Sequence, residues 1–217
     1  IKSMRIRIDL KIFLLLIIFY FTRQIEIYVT MIIFAIIHEL GHMLVGILLK
    51  MKPEKIELIP IGLAISFKVN LEEINQKIKK GNKFTLKKII VALAGPITNL
   101  IIILITIILK IENAEMIIYS NILLIIFNLL PICPLDGGRI LKGILEIFFG
   151  RNKARRYIND ISMITTMIIT SIGSIAILKI HNIAIVLIIA YIWIIMINEI
   201  IKNKRQEKIY QKIRNFT

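Results

Sequence analysis

Ile32-Ile33-Phe34-Ala35-Ile36-Ile37-His38-Glu39-Leu40-Gly41-His42-Met43-Leu44-Val45-Gly46-Ile47-Leu48-Leu49 is the stretch on which the fold turns. Two histidines and a glutamate interrupt an apolar run from Ile27 to Leu49. A run of that length can cross a bilayer, which takes about 20 residues. Histidines four apart on a helix share a face, because a turn takes about 3.6 residues. Both imidazoles can then hold one zinc ion, with the glutamate between them placed as general base toward an attacking water. The chain has three His and eleven Glu in 217 residues, so only about 0.002 matches to this spacing are expected by chance. Ionisable groups at mid-span cost at least about 2.5–3.5 kcal/mol each. Three within five residues call for a compensating partner, and a metal ion is one. The plain alternative is a polar helix–helix contact between hydrogen-bonded histidines.

The rest of the chain shares this apolar character. It is 57% hydrophobic with a mean hydropathy of +0.81, against roughly 45–50% apolar in soluble domains. Further runs place spans near Leu10–Thr22, Ile89–Leu109, Met116–Leu130, Ile161–Leu178 and Ile183–Ile201, six with the first-quoted one. Lys2, Arg5, Arg7 and Lys11 beside Ile12–Phe21 resemble a signal peptide. The run ends in Thr22-Arg23-Gln24 with no small-residue cleavage site, so an uncleaved first span is expected. If the N-terminus is cytoplasmic, 26 of the 29 Lys and Arg fall on cytoplasmic segments, leaving Arg23, Lys110 and Lys179. The positive-inside rule predicts such a bias. It also accounts for the net charge of +15 by charges flanking the lipid bilayer, so no nucleic-acid partner is expected. The single cysteine, Cys133, excludes an intrachain disulfide and a four-cysteine zinc module.

Between the second and third runs, residues 55–67 are rich in β-branched side chains around Pro60-Ile61-Gly62 and read as a short hairpin or edge strand. The following Lys77, Lys79, Lys80 and Lys83 suggest an amphipathic surface stretch. A second surface helix is expected within Arg139–Arg156. The chain reads as one transmembrane domain over residues 1–201, with its catalytic core at about 10–139, and a short basic cytoplasmic tail over 202–217.

Catalytic zinc takes three protein ligands and keeps one position for water. His181 falls in a predicted outer turn, on the wrong side. Asp136 is the best third ligand, in Asn128-Leu129-Leu130-Pro131-Ile132-Cys133-Pro134-Leu135-Asp136-Gly137-Gly138-Arg139. Of the other two Asp, Asp9 is near the N-terminus and Asp160 is placed to cap the fifth span. Pro131 and Pro134 break the helix there, and Gly137-Gly138 let the backbone turn. Cys133 is a softer alternative ligand, and Asp136 read alone is a turn residue beside two glycines.

Together these residues resemble the site-2 protease family of intramembrane metalloproteases. The likeness is carried by His38-Glu39-Leu40-Gly41-His42 in one span, Ala94-Gly95-Pro96-Ile97-Thr98-Asn99 in the next, and Asn128 through Gly137 after the fourth. It covers Leu10 to about Arg139, while the last two spans match in general character only. The resemblance implies one Zn2+ held by His38, His42 and Asp136, Glu39 as general base, and Asn128 steadying the oxyanion. Glu57 to Gly62 resembles the family's membrane-associated β element, where an extended substrate pairs as an added strand. Pro60, Gly62, Gly95, Pro96 and Asn99 are the expected substrate contacts. The implied fold is an all-α polytopic membrane protein of about six transmembrane helices with a short membrane-associated β-hairpin after the second.

The short hairpin region and the absence of a PDZ insertion resemble the sporulation branch, of the stage IV sporulation protein FB type. That branch implies a sigma-factor precursor as substrate, inhibitory membrane proteins as partners, and the forespore outer membrane as location. An Ile-, Lys- and Asn-rich composition accords with an AT-rich genome. Only 16 residues follow Ile201, so the nucleotide-sensing CBS domain of many members is not expected. In broader terms the chain is expected in a bacterial cell membrane, multi-pass, with both termini cytoplasmic. Competing substrates are an anti-sigma factor, a signal-peptide remnant or a pheromone precursor. Competing classes are a different membrane zincin using Glu115 or Glu146, and a metal transporter or metal-stabilised scaffold.

Overall fold

Among the described residues the long apolar runs form helices, the one in Ile78–Ile108 continuing through Pro96. The computed structural model describes residues 5–8, 25–51, 53–59, 62–67, 78–112, 114–180 and 183–215. The predicted first span, Leu10–Thr22, lies outside the described residues, as do Pro60 and His181. The chain divides into two units, residues 1–128 and 129–217.

In the first unit, helix α1 (Ile25–Leu48) carries the opening motif. It packs against α2 (Ile78–Ile108), α3 (Glu115–Asn128) and strand β3 (Gly62–Phe67). Strand β2 (Pro53–Ile59) pairs antiparallel with β3, Ile59 opposite Gly62, and parallel with β1 (Arg5–Ile8). A parallel partner for β2 was not legible in the sequence. Gly41 lets α1 and α2 approach closely, as small residues do between membrane helices. A Cβ there would overlap the Thr98 side chain and lie 3.2 Å from the Ala94 carbonyl oxygen. That carbonyl also accepts the Thr98 Oγ1 hydrogen bond, at 2.8 Å.

In the second unit, the turn 129–135 leads into α4 (Asp136–Phe149), which packs along α5 (Arg151–Ile180), and α5 packs along α6 (Ile183–Asn215). The Trp193 indole N–H donates to Thr170 Oγ1 at 2.9 Å, tying α6 to α5.

Four helical stretches among the described residues are long and apolar enough to cross a membrane: Ile25–Leu48, Asn82–Ile108, Arg151–Leu178 and Ile185–Arg205. Their outer faces stay apolar; Leu44, Leu48, Ile108 and Leu178 are all more than half exposed. Such a surface suits hydrocarbon rather than water.

Several boundaries differ from expectation. Lys79, Lys80 and Lys83 belong to the first turns of α2, not to a separate surface element, because only Gly81 interrupts the helical pattern before Ile89. The helix expected within Arg139–Arg156 is split at Gly150, whose φ of 78° ends α4. Asp160 therefore lies inside α5 and caps nothing. The fourth apolar run forms only the 14 residues of α3 and stops at Asn128. The basic tail is not a separate segment either, since α6 runs on unbroken to Asn215.

Candidate metal centre

α1 buries His38 and His42 on one face, with ring centroids 4.8 Å apart and planes at 88°. His42 Nδ1 lies 2.7 Å from the Val91 carbonyl oxygen of α2. A carbonyl oxygen only accepts, so Nδ1 carries the proton and donates. That leaves the His42 Nε2 lone pair for a metal, the usual way an outer partner fixes a ligating histidine. Gly95 N comes within 3.2 Å of the same nitrogen. With Nδ1 protonated this is close packing, and the Gly95 N–H is served by the carbonyl four residues back in its own helix.

Gly95 has a second consequence. A Cβ on it would lie 2.5 Å from His42 Nε2 and Cε1, and closer still to His38 Nε2. The ligand nitrogens of both histidines thus face one side-chain-sized space, kept open by a glycine. Zinc–nitrogen bonds of about 2.0–2.1 Å fit there. Glu39 is half-buried on the intervening turn of α1.

Asn99 lies four residues after Gly95, hence on the same face of α2. It is fully buried, and neither amide atom has a hydrogen-bond partner among the described residues. An orphaned amide of this kind costs about 1–3 kcal/mol. Pro96 beside it is buried and has no N–H to give the helix. Asn128 is the half-buried last residue of α3. Gly62 opens β3.

In the second unit Asp136 is the first residue of α4, after an extended Leu135. It is buried. A carboxylate suits the partial positive charge of a helix N-terminus. Arg139 Nη1 stands 3.6 Å from Asp136 Oδ1 and is about half exposed, so it adds little by itself. The preceding turn is backbone packed on backbone. A Cβ on Gly137 would run into the Leu129 carbonyl, and one on Gly138 would meet the Cys133 nitrogen at 2.5 Å. Cys133 is joined to Pro134 by a cis peptide bond, and its N–H donates to Ser162 Oγ of α5 at 3.1 Å. Burial pushes the Cys133 thiol up to about 11, so at neutral pH it is a protonated core thiol.

The buried imidazoles of His38 and His42 in the first unit and the buried carboxylate of Asp136 in the second are metal-binding donors. The set suits catalytic zinc, with three protein ligands and a fourth position left for water. Glu115 is exposed and Glu146 half-exposed, and neither belongs to it. Neither the Val91 carbonyl nor Ser162 was legible as a partner before the fold was known. A main-chain acceptor has no residue signature, and a serine inside an apolar run has no pattern of its own.

Comparison with known proteins agrees with this geometry. The family model described as peptidase family M50 matches residues 26–115 and 111–172. A zinc metalloprotease of Methanocaldococcus jannaschii is 27% identical over 175 residues, covering 76% of this chain and 47% of the relative. The chain therefore spans about half the length of that curated relative. Among solved structures, a site-2 protease from the same organism aligns over 92% of this chain and 93% of its own, with a TM-score of 0.66 and 23% identity. That is a likeness of fold.

Proposed function

The chain belongs to peptidase family M50, a family of zinc metalloproteases, and on that premise we propose that it cuts a peptide bond of a membrane-associated protein within or beside the bilayer. The observation that carries this is the space at Gly95, faced by both histidine Nε2 atoms, on a helix fit to span a membrane.

His38, His42 and Asp136 would hold the zinc. When bound, the ion supplies a Lewis acid that polarises the scissile carbonyl and makes water a nucleophile at neutral pH. Glu39 takes the proton of the attacking water and delivers it to the leaving amine. Asn128 offers its amide to the developing oxyanion. Val91 fixes the His42 tautomer through the 2.7 Å contact.

A helical substrate hides its carbonyls, so it must be extended before attack. β3 packs against α1, the helix of His38 and His42, and as an outer strand of the β1-β2-β3 sheet, beginning at Gly62, it is suited to accept an added strand. Gly95 and Asn99 share the face of α2 toward the histidines, with Pro96 beside them, and the orphaned Asn99 amide is free to bind substrate backbone. The topology we favour has about six spans, both termini cytoplasmic, and water entering from that side. The substrate we favour is a sporulation sigma-factor precursor, supported by the short 57–62 element and by composition. An anti-sigma factor or signal-peptide remnant is the alternative.

Glu39→Gln should retain zinc and lose cleavage. Cleavage by this variant at the wild-type rate would refute the mechanism. Co-expression with a tagged sigma-factor precursor, read for a size shift that Glu39→Gln abolishes, tests the substrate.

A further inference from the structure

The second unit contains a polar link, centred on a buried asparagine, that the proposed chemistry does not use. Lys142 of α4 donates from Nζ to Asn203 Oδ1 of α6 at 3.3 Å, and Asn203 Nδ2 donates to Asn159 Oδ1 of α5 at 2.9 Å. Asn203 is 2% exposed. One amide thus uses its oxygen on the short helix and its nitrogen on the neighbouring long one. A buried amide with both ends occupied is a costly choice for mere adhesion, where an apolar residue would serve.

The helix it grips is the one that begins at Asp136. Lys142 lies six residues on, roughly 9 Å along the axis and about 120° around it. That is a good place from which to resist rolling of α4. Side-chain atoms stand about 5–6 Å from a helix axis, so a roll of 10° would move the Asp136 carboxylate by roughly 1 Å. Metal–ligand distances tolerate only about 0.2 Å. The N-terminal end of α4 is pinned along its axis by Gly137 and Gly138 against the backbone of residues 129–133. The Lys142–Asn203–Asn159 link supplies the rotational constraint.

We propose that Asn203, with Lys142 and Asn159, is a positioning residue that sets the rotation of α4 and hence the aim of Asp136 at the metal. This rests on Asp136 being a zinc ligand, as proposed above. The link touches neither substrate nor metal.

The test is zinc affinity of the full-length protein in detergent, by competition with a chelator, alongside emission of Trp193, the only tryptophan. Lys142→Met cuts the tie to α4, and Asn203→Leu cuts both ties. Asn203→Asp keeps both, since a carboxylate accepts from Lys142 and from a flipped Asn159 amide. We expect Lys142→Met and Asn203→Leu to weaken zinc binding at least about tenfold with Trp193 emission unchanged, and Asn203→Asp to bind as the wild type does. Should Asn203→Leu fail to fold, Lys142→Met decides alone. Wild-type zinc affinity in Lys142→Met, or failure of Asn203→Asp to restore it, overturns the inference. Asp136→Asn is the reference: if it binds zinc like the wild type, the ligand assignment itself has failed and the positioning role falls with it.

Discussion

Gly95→Ala should expel the metal from an otherwise folded protein. The added methyl would lie 2.5 Å from His42 Nε2 and Cε1 and nearer still to His38 Nε2. Ordinary carbon–nitrogen contacts need about 3.5 Å or more, so about 1 Å of movement is required. Retreat of α2 would open the close packing of Gly41 on Ala94 and Thr98. The imidazoles must swing instead, and swinging His42 stretches its 2.7 Å bond to the Val91 carbonyl. Overpacking of this kind costs about 1–3 kcal/mol. Taken from metal binding, that is about a 5- to 160-fold rise in Kd. The methyl also occupies the place where an ion about 2.1 Å from both nitrogens would sit, which puts the effect toward the upper end. Chelator competition measures the affinity, and thermal melting with and without zinc separates folding from binding. Wild-type zinc affinity in Gly95→Ala would show that the two nitrogens do not share a metal in that space.

Other consequences can be checked with the same material. Gly41→Ala should lower stability by about 1–3 kcal/mol, with Thr98→Ala restoring part of it by removing the overlapped hydroxyl; no rescue would place the strain elsewhere. Asp136→Asn should abolish zinc binding while Glu146→Gln leaves it intact, and the reverse result would assign the third ligand to Glu146. For Cys133 the folded thiol titrates at about 11 against an ordinary 9.0. The unfolded chain therefore loses its proton first as pH rises. Stability relative to Cys133→Ala is fully present below pH 9 and should fall by about 2–3 kcal/mol between pH 9 and 11. A flat difference in denaturant titrations across that range would contradict the burial of the thiol.

The metal centre was more legible in the sequence than the boundaries around it. His38 and His42 declare themselves because a helical spacing of four is a local property, and Asp136 because two prolines and two glycines bracket it. The continuity of α2 back to Ile78 was hidden because lysines look like solvent-facing loop residues whether or not the backbone beneath them is helical. The break at Gly150 was hidden because a single glycine inside a helical pattern is usually tolerated. The pairing of β1 with β2 joins residues about fifty positions apart, and no local pattern encodes it. The Lys142–Asn203–Asn159 link was invisible for the same reason: asparagine at the end of a membrane span reads as ordinary interfacial polarity until its partners are known.

The shortness of α3 bears on the membrane itself. Fourteen residues rise about 21 Å, against a hydrocarbon layer of about 30 Å. Were α3 to cross the bilayer, the shortfall of roughly 9 Å would be matched by locally thinned lipid, by water filling the gap, or by both. The shortfall arises where the chain leaves helical geometry at Asn128 and turns toward Asp136. Hydrophobic mismatch beside such a helix would lower the cost of bringing polar peptide groups to that depth, close to where α3 stops at Asn128 and α4 begins at Asp136.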